Sequence, residues 1–450
     1  MNLQRRSFIR TAVTAGIGGI VDATFSSLLA ADSSPLTVDL FESPDPTLLK
    51  LVNEIYQKCV LGKINSPKGL LKRRWLVPGG VYYGQWIWDT MFVVDLLSLD
   101  SNNKELIREV FQNYWDFQQR WNKEMPVYAH DMVACMIHPD DLNWVKYPAF
   151  SQIPILAWGV ERVYQRNKDI ELVKQCLGPI ERFHDWYWRE RDVTNSGLVT
   201  LGVYRSGAVQ EARYETFDFE CNMDNLKLTR HPTRKAETEG EWYGDLCVPG
   251  NSAYLIMAER SLMRLAEINN DKEMAARRKA RIDKAVEAMR QHMWDEEAGL
   301  FLTVNRDTFV KVPVGTIGGW IPLIAEVPTA AMAHRMAETL QSPRWKTPLP
   351  VSTVDRTDSR WKSDGMWRGD VWPATNYQIA SGLAAYGYKD LSATIADKTV
   401  TNALNNGISE RYDAVTGKAL GVPYLGMTCS VITLLLDGLC KQHQLSIKKT

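Results

Sequence analysis

Pro373-Ala374-Thr375-Asn376-Tyr377-Gln378-Ile379-Ala380-Ser381-Gly382-Leu383-Ala384-Ala385-Tyr386-Gly387 is followed, after Tyr388 alone, by a second periodic segment from Lys389 to Asn405. Both segments carry apolar residues at three- and four-residue spacing, the signature of an amphipathic or buried helix. Pro373 suits the first turn of a helix, where its missing N–H costs nothing. Two helices joined by so short a link form a hairpin. The same pattern recurs outward through the chain. Helices are expected near 46–61, 86–99, 103–122, 152–166, 169–190, 251–267, 271–293, 316–325, 328–341, 373–387, 389–405 and 427–443. Ser151 and Asp271 stand at helix starts as capping residues. Twelve helices in six hairpins close as an inner and an outer ring, so the expected fold is all-α, an (α/α)6 toroid. The stretches 66–86, 191–250 and 342–372, rich in Trp, Gly and Pro, are then the long loops gathered at one end, with a small β hairpin around Gly197–Val203.

Composition bounds the function. The 450 residues are 45% hydrophobic and 24% charged, with 53 basic and 53 acidic residues, so no net field draws the chain to nucleic acid or anionic lipid. Sixteen Trp supply both a core and apolar faces on which sugar rings stack. The seven Cys are odd in number and scattered, with no CxxC spacing, and the seven His are dispersed. Mostly free, buried thiols are therefore expected, and neither a metal nor another cofactor is called for. Arg5-Arg6-Ser7-Phe8-Ile9-Arg10, the apolar stretch Thr11–Ala23 and small residues at Ala30-Ala31 form a twin-arginine export pattern over 1–31. Residues 32–450 are read as one catalytic domain, exported to the periplasm or secreted and without a membrane anchor. Oligomeric state is not legible.

Four segments carry chemistry. Trp86-Ile87-Trp88-Asp89 places Asp89 at a helix start, where it either caps the helix or accepts sugar hydroxyls while Trp88 stacks. Phe219-Glu220-Cys221-Asn222-Met223-Asp224-Asn225 puts Asp224 in a loop among apolar neighbours that can hold a carboxyl protonated. Trp367-Arg368-Gly369-Asp370-Val371-Trp372 precedes Pro373, with Arg368 able to pair with a carboxylate such as Glu410. Ser409-Glu410-Arg411-Tyr412 continues to Thr416-Gly417 and Tyr424. Each carboxylate also has a plainer reading as a turn, cap or surface residue. Glycoside cleavage needs two such groups, one to donate a proton and one to act as base.

The order of these motifs, with Ser151-Gln152-Ile153-Pro154 between the first and second, resembles glycoside hydrolase family 63 and the related trehalases over roughly residues 75–430. That resemblance implies an (α/α)6 enzyme hydrolysing α-glycosides with inversion. It places Asp224 as general acid and Glu410 as general base. Trp86, Trp88, Asp89, Gln152, Glu220, Asn225, Trp367, Arg368, Trp372 and Tyr424 then fall on sugar-binding positions. The length is that of short bacterial members acting on mannosylglycerate or glucosylglycerate, so the expected partner is a small carbohydrate, an α-glucoside or α-mannoside attacked from its end. A glycerate carboxylate would need a cation, for which Arg213, Lys227 and Arg230 are candidates. Departures from the family pattern at Cys221, Asn222, Leu226, Asp370 and Ile153 cluster around the pocket. Asp370 adds a charge there that binds a hydroxyl or repels an acidic substrate. A polysaccharide lyase, using Tyr83, Tyr424 or His130 as base, and a non-catalytic glycan-binding protein are the alternatives on the same toroid.

Overall fold

The computed structural model describes residues 39–124, 127–141, 151–203, 226–229 and 242–448. Among them are eleven α-helices: α1 Pro46–Ile55, α2 Ile87–Leu97, α3 Lys104–Glu124, α4 Leu156–Asn167, α5 Ile170–Arg191, α6 Pro249–Ile268, α7 Lys272–Ala288, α8 Ala330–Gln341, α9 Pro373–Ala385, α10 Lys389–Asn406 and α11 Ser430–Leu436. The twelfth place is taken by two 3-10 turns, Ile317–Gly319 and Ile321–Leu323.

These elements form the expected double ring. Inside, α2 packs on α4, α4 on α6, α6 on the 3-10 turns, the turns on α9 and α9 on α11. The Gly426–Cys429 turn ahead of α11 then returns to α2 and closes the circle. Inner elements are buried on every side: all eleven residues of α2 are buried, as is α9 from Pro373 to Ala380. A helix surrounded by protein needs no polar stripe. Outer helices keep one. In α3, Leu106, Ile107, Val110, Phe111 and Tyr114 face inward while Glu105 and Lys123 stay in water.

Four of the outer helices begin on side-chain caps. Asp45 accepts from the Thr47 N–H (2.8 Å), Asp169 from Leu172 (3.2 Å), Asp271 from Met274 (2.9 Å) and Thr329 from Met332 (3.2 Å). Each satisfies a first-turn donor that otherwise has no partner. Asp271 therefore acts as expected. Ser151 does not, because its hydroxyl donates to the Val133 carbonyl (2.6 Å) and α4 starts only at Leu156.

Two other helix expectations are corrected. Residues 316–325 do not form an α-helix. Gly318-Gly319 and Pro322 weaken it, and the Gly319 backbone lies so close to Phe301 and Leu300 that a Cβ would overlap both. The last helix stops at Leu436 rather than 443, where Gly438 takes a left-handed φ of +68° and ends it. The strand Thr200–Val203 pairs with Trp242–Cys247, far along the chain, rather than in a local hairpin. Trp242–Cys247 also carries Leu228–Thr229 and Val304–Asn305, giving a small antiparallel sheet. Six cysteines are described, five of them buried, and none is in a disulfide. No helix among the described residues is long and apolar enough to cross a membrane.

Candidate active site

Glu410 sits on the strand Ser409–Tyr412, which pairs antiparallel with Ala419–Pro423. Asp413 closes the connecting turn by accepting the Val415 and Thr416 N–H groups, both at 2.8 Å. The hairpin points Glu410 inward, where it is only 5% exposed. Tyr82 donates its hydroxyl to Oε1 (3.2 Å), and the Val422 N–H donates to Oε2 (3.0 Å). Gly421, at φ +75°, lies beside the carboxylate, and a side chain there would collide with it. Burial raises the Glu410 carboxyl above its ordinary value, against the Val422 and Tyr82 hydrogen bonds and the Arg411 charge. A carboxylate has about four acceptor positions. These two donors leave room for a water molecule, which is what a general base has to hold.

Asp89 lies on the first turn of α2 and is 8% exposed. The Met427 N–H donates to its Oδ1 (3.3 Å). Burial pushes the Asp89 carboxyl up to about 7. The Glu410 charge adds to that rise, while the Met427 hydrogen bond and Lys63 oppose it. The two carboxyls are therefore close enough to feel one another. Trp86 lies edge-on to Tyr82, with ring centroids 5.9 Å apart.

The third wall is the loop ahead of α9. Trp367 stacks on Trp372 with centroids 4.0 Å apart and planes 11° from parallel. Trp367 holds a left-handed φ of +54°, and its N–H donates to Asp370 Oδ1 (3.0 Å). Asp370 also accepts from the Thr353 hydroxyl (2.9 Å), the Trp372 indole (3.0 Å) and Arg411 (3.2 Å). This corrects the expectation for Asp370. It is wholly buried and its oxygens are committed to protein donors, so it locks the loop and does not meet a substrate. Burial pushes its carboxyl up to about 7, against Arg411.

Other expected contacts are corrected in the same way. Among the described residues the cation whose charge reaches Glu410 is Arg411, and Arg368 bears on Asp358. Trp88 is 2% exposed. Its ring lies edge-on to Phe92 and Tyr254 and its indole N–H meets Met427 Sδ (3.0 Å), so it is a packing element rather than a stacking platform. The Gln152 side-chain oxygen accepts the Trp88 N–H (2.9 Å), which caps α2 from a distance. The Tyr424 hydroxyl donates to Glu54 on α1 (2.6 Å), with Lys58 over its ring at 4.2 Å. As for the lyase bases, Tyr424 is thus committed, and Tyr83 accepts from Lys68 (3.0 Å).

Asp224, Glu220, Asn225, Cys221, Asn222, Arg213 and Arg230 lie outside the described residues. Lys227 is exposed. No cluster of His, Cys, Asp and Glu suited to a metal occurs among the described residues. Sequence reading missed Tyr82 and Arg411. Tyr82 stands seven residues before Asp89 in a Gly-flanked turn, and Arg411 adjoins Glu410. Neither position carries a periodicity that marks it.

The model of the mannosylglycerate hydrolase MGH1-like glycoside hydrolase domain matches residues 82–428. A mannosylglycerate hydrolase of Thermus thermophilus is 24% identical over 387 residues, 76% of this chain and 91% of that protein. One from Rubrobacter radiotolerans is 30% identical over 190 residues, 41% of this chain and 42% of that protein. The crystal structure of a GH63 mannosylglycerate hydrolase from Thermus thermophilus, in complex with Tris and D-glycerate, is 19% identical. The match covers 85% of this chain and 98% of that one, with a TM-score of 0.65.

Proposed function

Because the chain belongs to the mannosylglycerate hydrolase MGH1-like glycoside hydrolase family, we propose that it cleaves a small α-linked glucoside or mannoside of glycerate from its sugar end, with inversion. The observation that carries this reading is the Glu410 carboxylate, buried, held by Tyr82 and Val422, and within electrostatic reach of Asp89. Asp224 is the proton donor to the leaving oxygen. Glu410 takes a proton from water on the opposite face of the ring. Inversion needs these two carboxyls roughly 6.5–9.5 Å apart. Asp89 accepts two sugar hydroxyls, and Trp367 and Trp372 wall the ring. Trp86, Glu220 and Asn225 complete the sugar pocket. A glycerate carboxylate needs a cation or hydroxyl partner, and the same glycerate group is bound in the Thermus enzyme's crystal structure.

The test is hydrolysis of mannosylglycerate, glucosylglycerate, trehalose and simple α-glucosides and α-mannosides, with NMR of the first anomer released. A β-anomer from wild type, and loss of on the order of 10³-fold or more in Asp224→Asn and Glu410→Gln, is the expected result. Release of the α-anomer, or full activity in either variant, overturns the mechanism. Residues 1–31 are proposed as a twin-arginine export signal. Replacing Arg5 and Arg6 with Lys should leave the protein inside the cell, and a mature periplasmic protein from that variant refutes the assignment.

A further inference from the structure

Glu410 faces an irregular partner strand. Ser409 pairs with Pro423 and Arg411 with Leu420, so two residues, Gly421 and Val422, stand opposite Glu410 alone. This is a β-bulge, opened by Gly421 at φ +75°. The bulge takes the Val422 N–H out of the strand ladder and onto Glu410 Oε2 (3.0 Å). Further along, the Met427 N–H donates to Asp89 Oδ1 (3.3 Å). One short stretch of backbone, 422–427, therefore donates to both site carboxyls. Tyr424 lies within it at a left-handed φ of +53°. Glycine takes that conformation freely. A bulky aromatic residue takes it at a cost, and keeps it only where its surroundings enforce it.

Those surroundings come from α1 and the turn that follows it. The Tyr424 hydroxyl donates to Glu54 Oε1 (2.6 Å), Lys58 pairs with the same oxygen (2.7 Å), and the Lys58 ammonium lies 4.2 Å from the centre of the Tyr424 ring. The base of this clamp is fixed, because Leu48, Val52 and Ile55 bury one face of α1 and Asp45 caps its start. We propose that Glu54 is a positioning residue of the site: by holding Tyr424 in its left-handed turn, it sets the Val422 and Met427 N–H groups on Glu410 and Asp89. The inference rests on the reading of those two carboxyls as the site. Among the described residues Glu54 bonds to Lys58 and Tyr424 and to neither carboxyl, so it acts through the backbone.

The sign of one titration separates this role from a direct effect of charge. Burial raises the Glu410 carboxyl, and the Val422 hydrogen bond is the largest influence against it, ahead of Tyr82 and Arg411. Asp89 is the other carboxyl within reach. Loosening the Val422 bond raises Glu410 further. Glu54 is ionised, held low by its bonds to Lys58 and Tyr424, with Lys50 nearby. Removing that anion and unpairing Lys58 would, through space alone, lower Glu410.

The test is a carboxyl titration by NMR. The protein is labelled with 13C at the Glu side-chain carboxyl, and the Glu410 signal is assigned by its loss in Glu410→Gln. In Glu54→Ala the Glu410 midpoint should rise by about one pH unit, and the acid limb of kcat/KM should move up with it, about tenfold in rate on that limb. Tyr424→Phe, which removes only the hydroxyl, should raise the midpoint too, and Glu54→Ala on top of it should add nothing further. If Glu54→Ala does not fold, Glu54→Leu serves in the same titration. An unmoved or lowered Glu410 midpoint, or shifts that add in the double variant, overturns the inference. The titration does not require turnover, so it decides the role of Glu54 even if no glycoside in the panel is cleaved, an outcome that would count against the proposed function alone.

Discussion

Gly421 and Gly407 are both left-handed, at φ +75° and +79°, and separate two costs that usually arrive together. A Cβ on Gly407 meets nothing within 4 Å. Gly407, at φ +79° and ψ −178°, occupies a region used essentially by glycine alone, so Gly407→Ala carries only that backbone penalty, about 1–3 kcal/mol. For a chain of this size that is a fall in Tm of about 1–3 °C, with normal turnover. Gly421→Ala carries a backbone penalty of that kind and a collision. Its Cβ would lie 3.0 Å from Glu410 Cβ and closer still to the carboxylate. The carboxylate must retreat by roughly 1 Å to relieve it, which breaks its hydrogen bonds to Tyr82 and Val422 and displaces the base. A misplacement of that size costs on the order of 10²-fold in kcat. The assay is kcat and thermal melting on both variants with the substrate from the glycoside panel. Wild-type kcat in Gly421→Ala, or an equal loss in Gly407→Ala, refutes the assignment of Glu410 as a positioned base.

Asp95, 1% exposed, lies between Arg162 and Arg166, which also share Asp437. Burial works against its charge, the two guanidinium groups outweigh it, and the carboxyl is held below its ordinary value. Asp95→Ala should cost about 3–5 kcal/mol by chemical denaturation. Because the folded state favours the ionised form, that contribution is complete above the unfolded carboxylate range near pH 4 and shrinks as pH falls through the lower folded value. Asp370→Asn should cost about 3 kcal/mol and lower kcat, since Arg411 loses its anion and the Trp367 turn loses its acceptor. Melting and turnover check both effects. With the Asp89 carboxyl at about 7, its ionised form is lost as pH falls below that value. The KM should therefore climb on acidification through pH 7, a limb absent from Asp89→Asn in a pH series of initial rates.

Helix positions were legible where one-sided burial imposes a period on the sequence, as in α3, and where Pro373 and the short link at Tyr388 mark the ends of a hairpin. The failures have local causes. Gly318, Gly319 and Pro322 lie within an apolar segment whose spacing reads as helix, but the backbone there approaches Phe301 too closely for ordinary side chains. Glu410 and Asp89 could be singled out because their chemistry marks them, and the structure buries both carboxyls. What each neighbour faces could not. Trp88 and Asp370 both look exposed to a pocket when read from spacing, and their burial is decided by Met427 and Arg411, which approach from far along the chain. Tyr82 reaches Glu410 across 328 positions of sequence, a pairing no local pattern encodes.

The circle of inner helices has a single join, where the turn at Gly426–Cys429 returns to α2, and the proposed sugar site is built across it. Met427 meets Asp89 across 338 positions and Trp88 across 339. Contacts so distant in sequence carry the largest loop-closure cost and form late. A molecule still missing its last helix has its carboxylates in the chain but no site. Catalytic competence thus waits until the Gly426–Cys429 turn and α11 have joined α2 and α9, and any truncation before Leu436 should be silent enzymatically however much helix it retains.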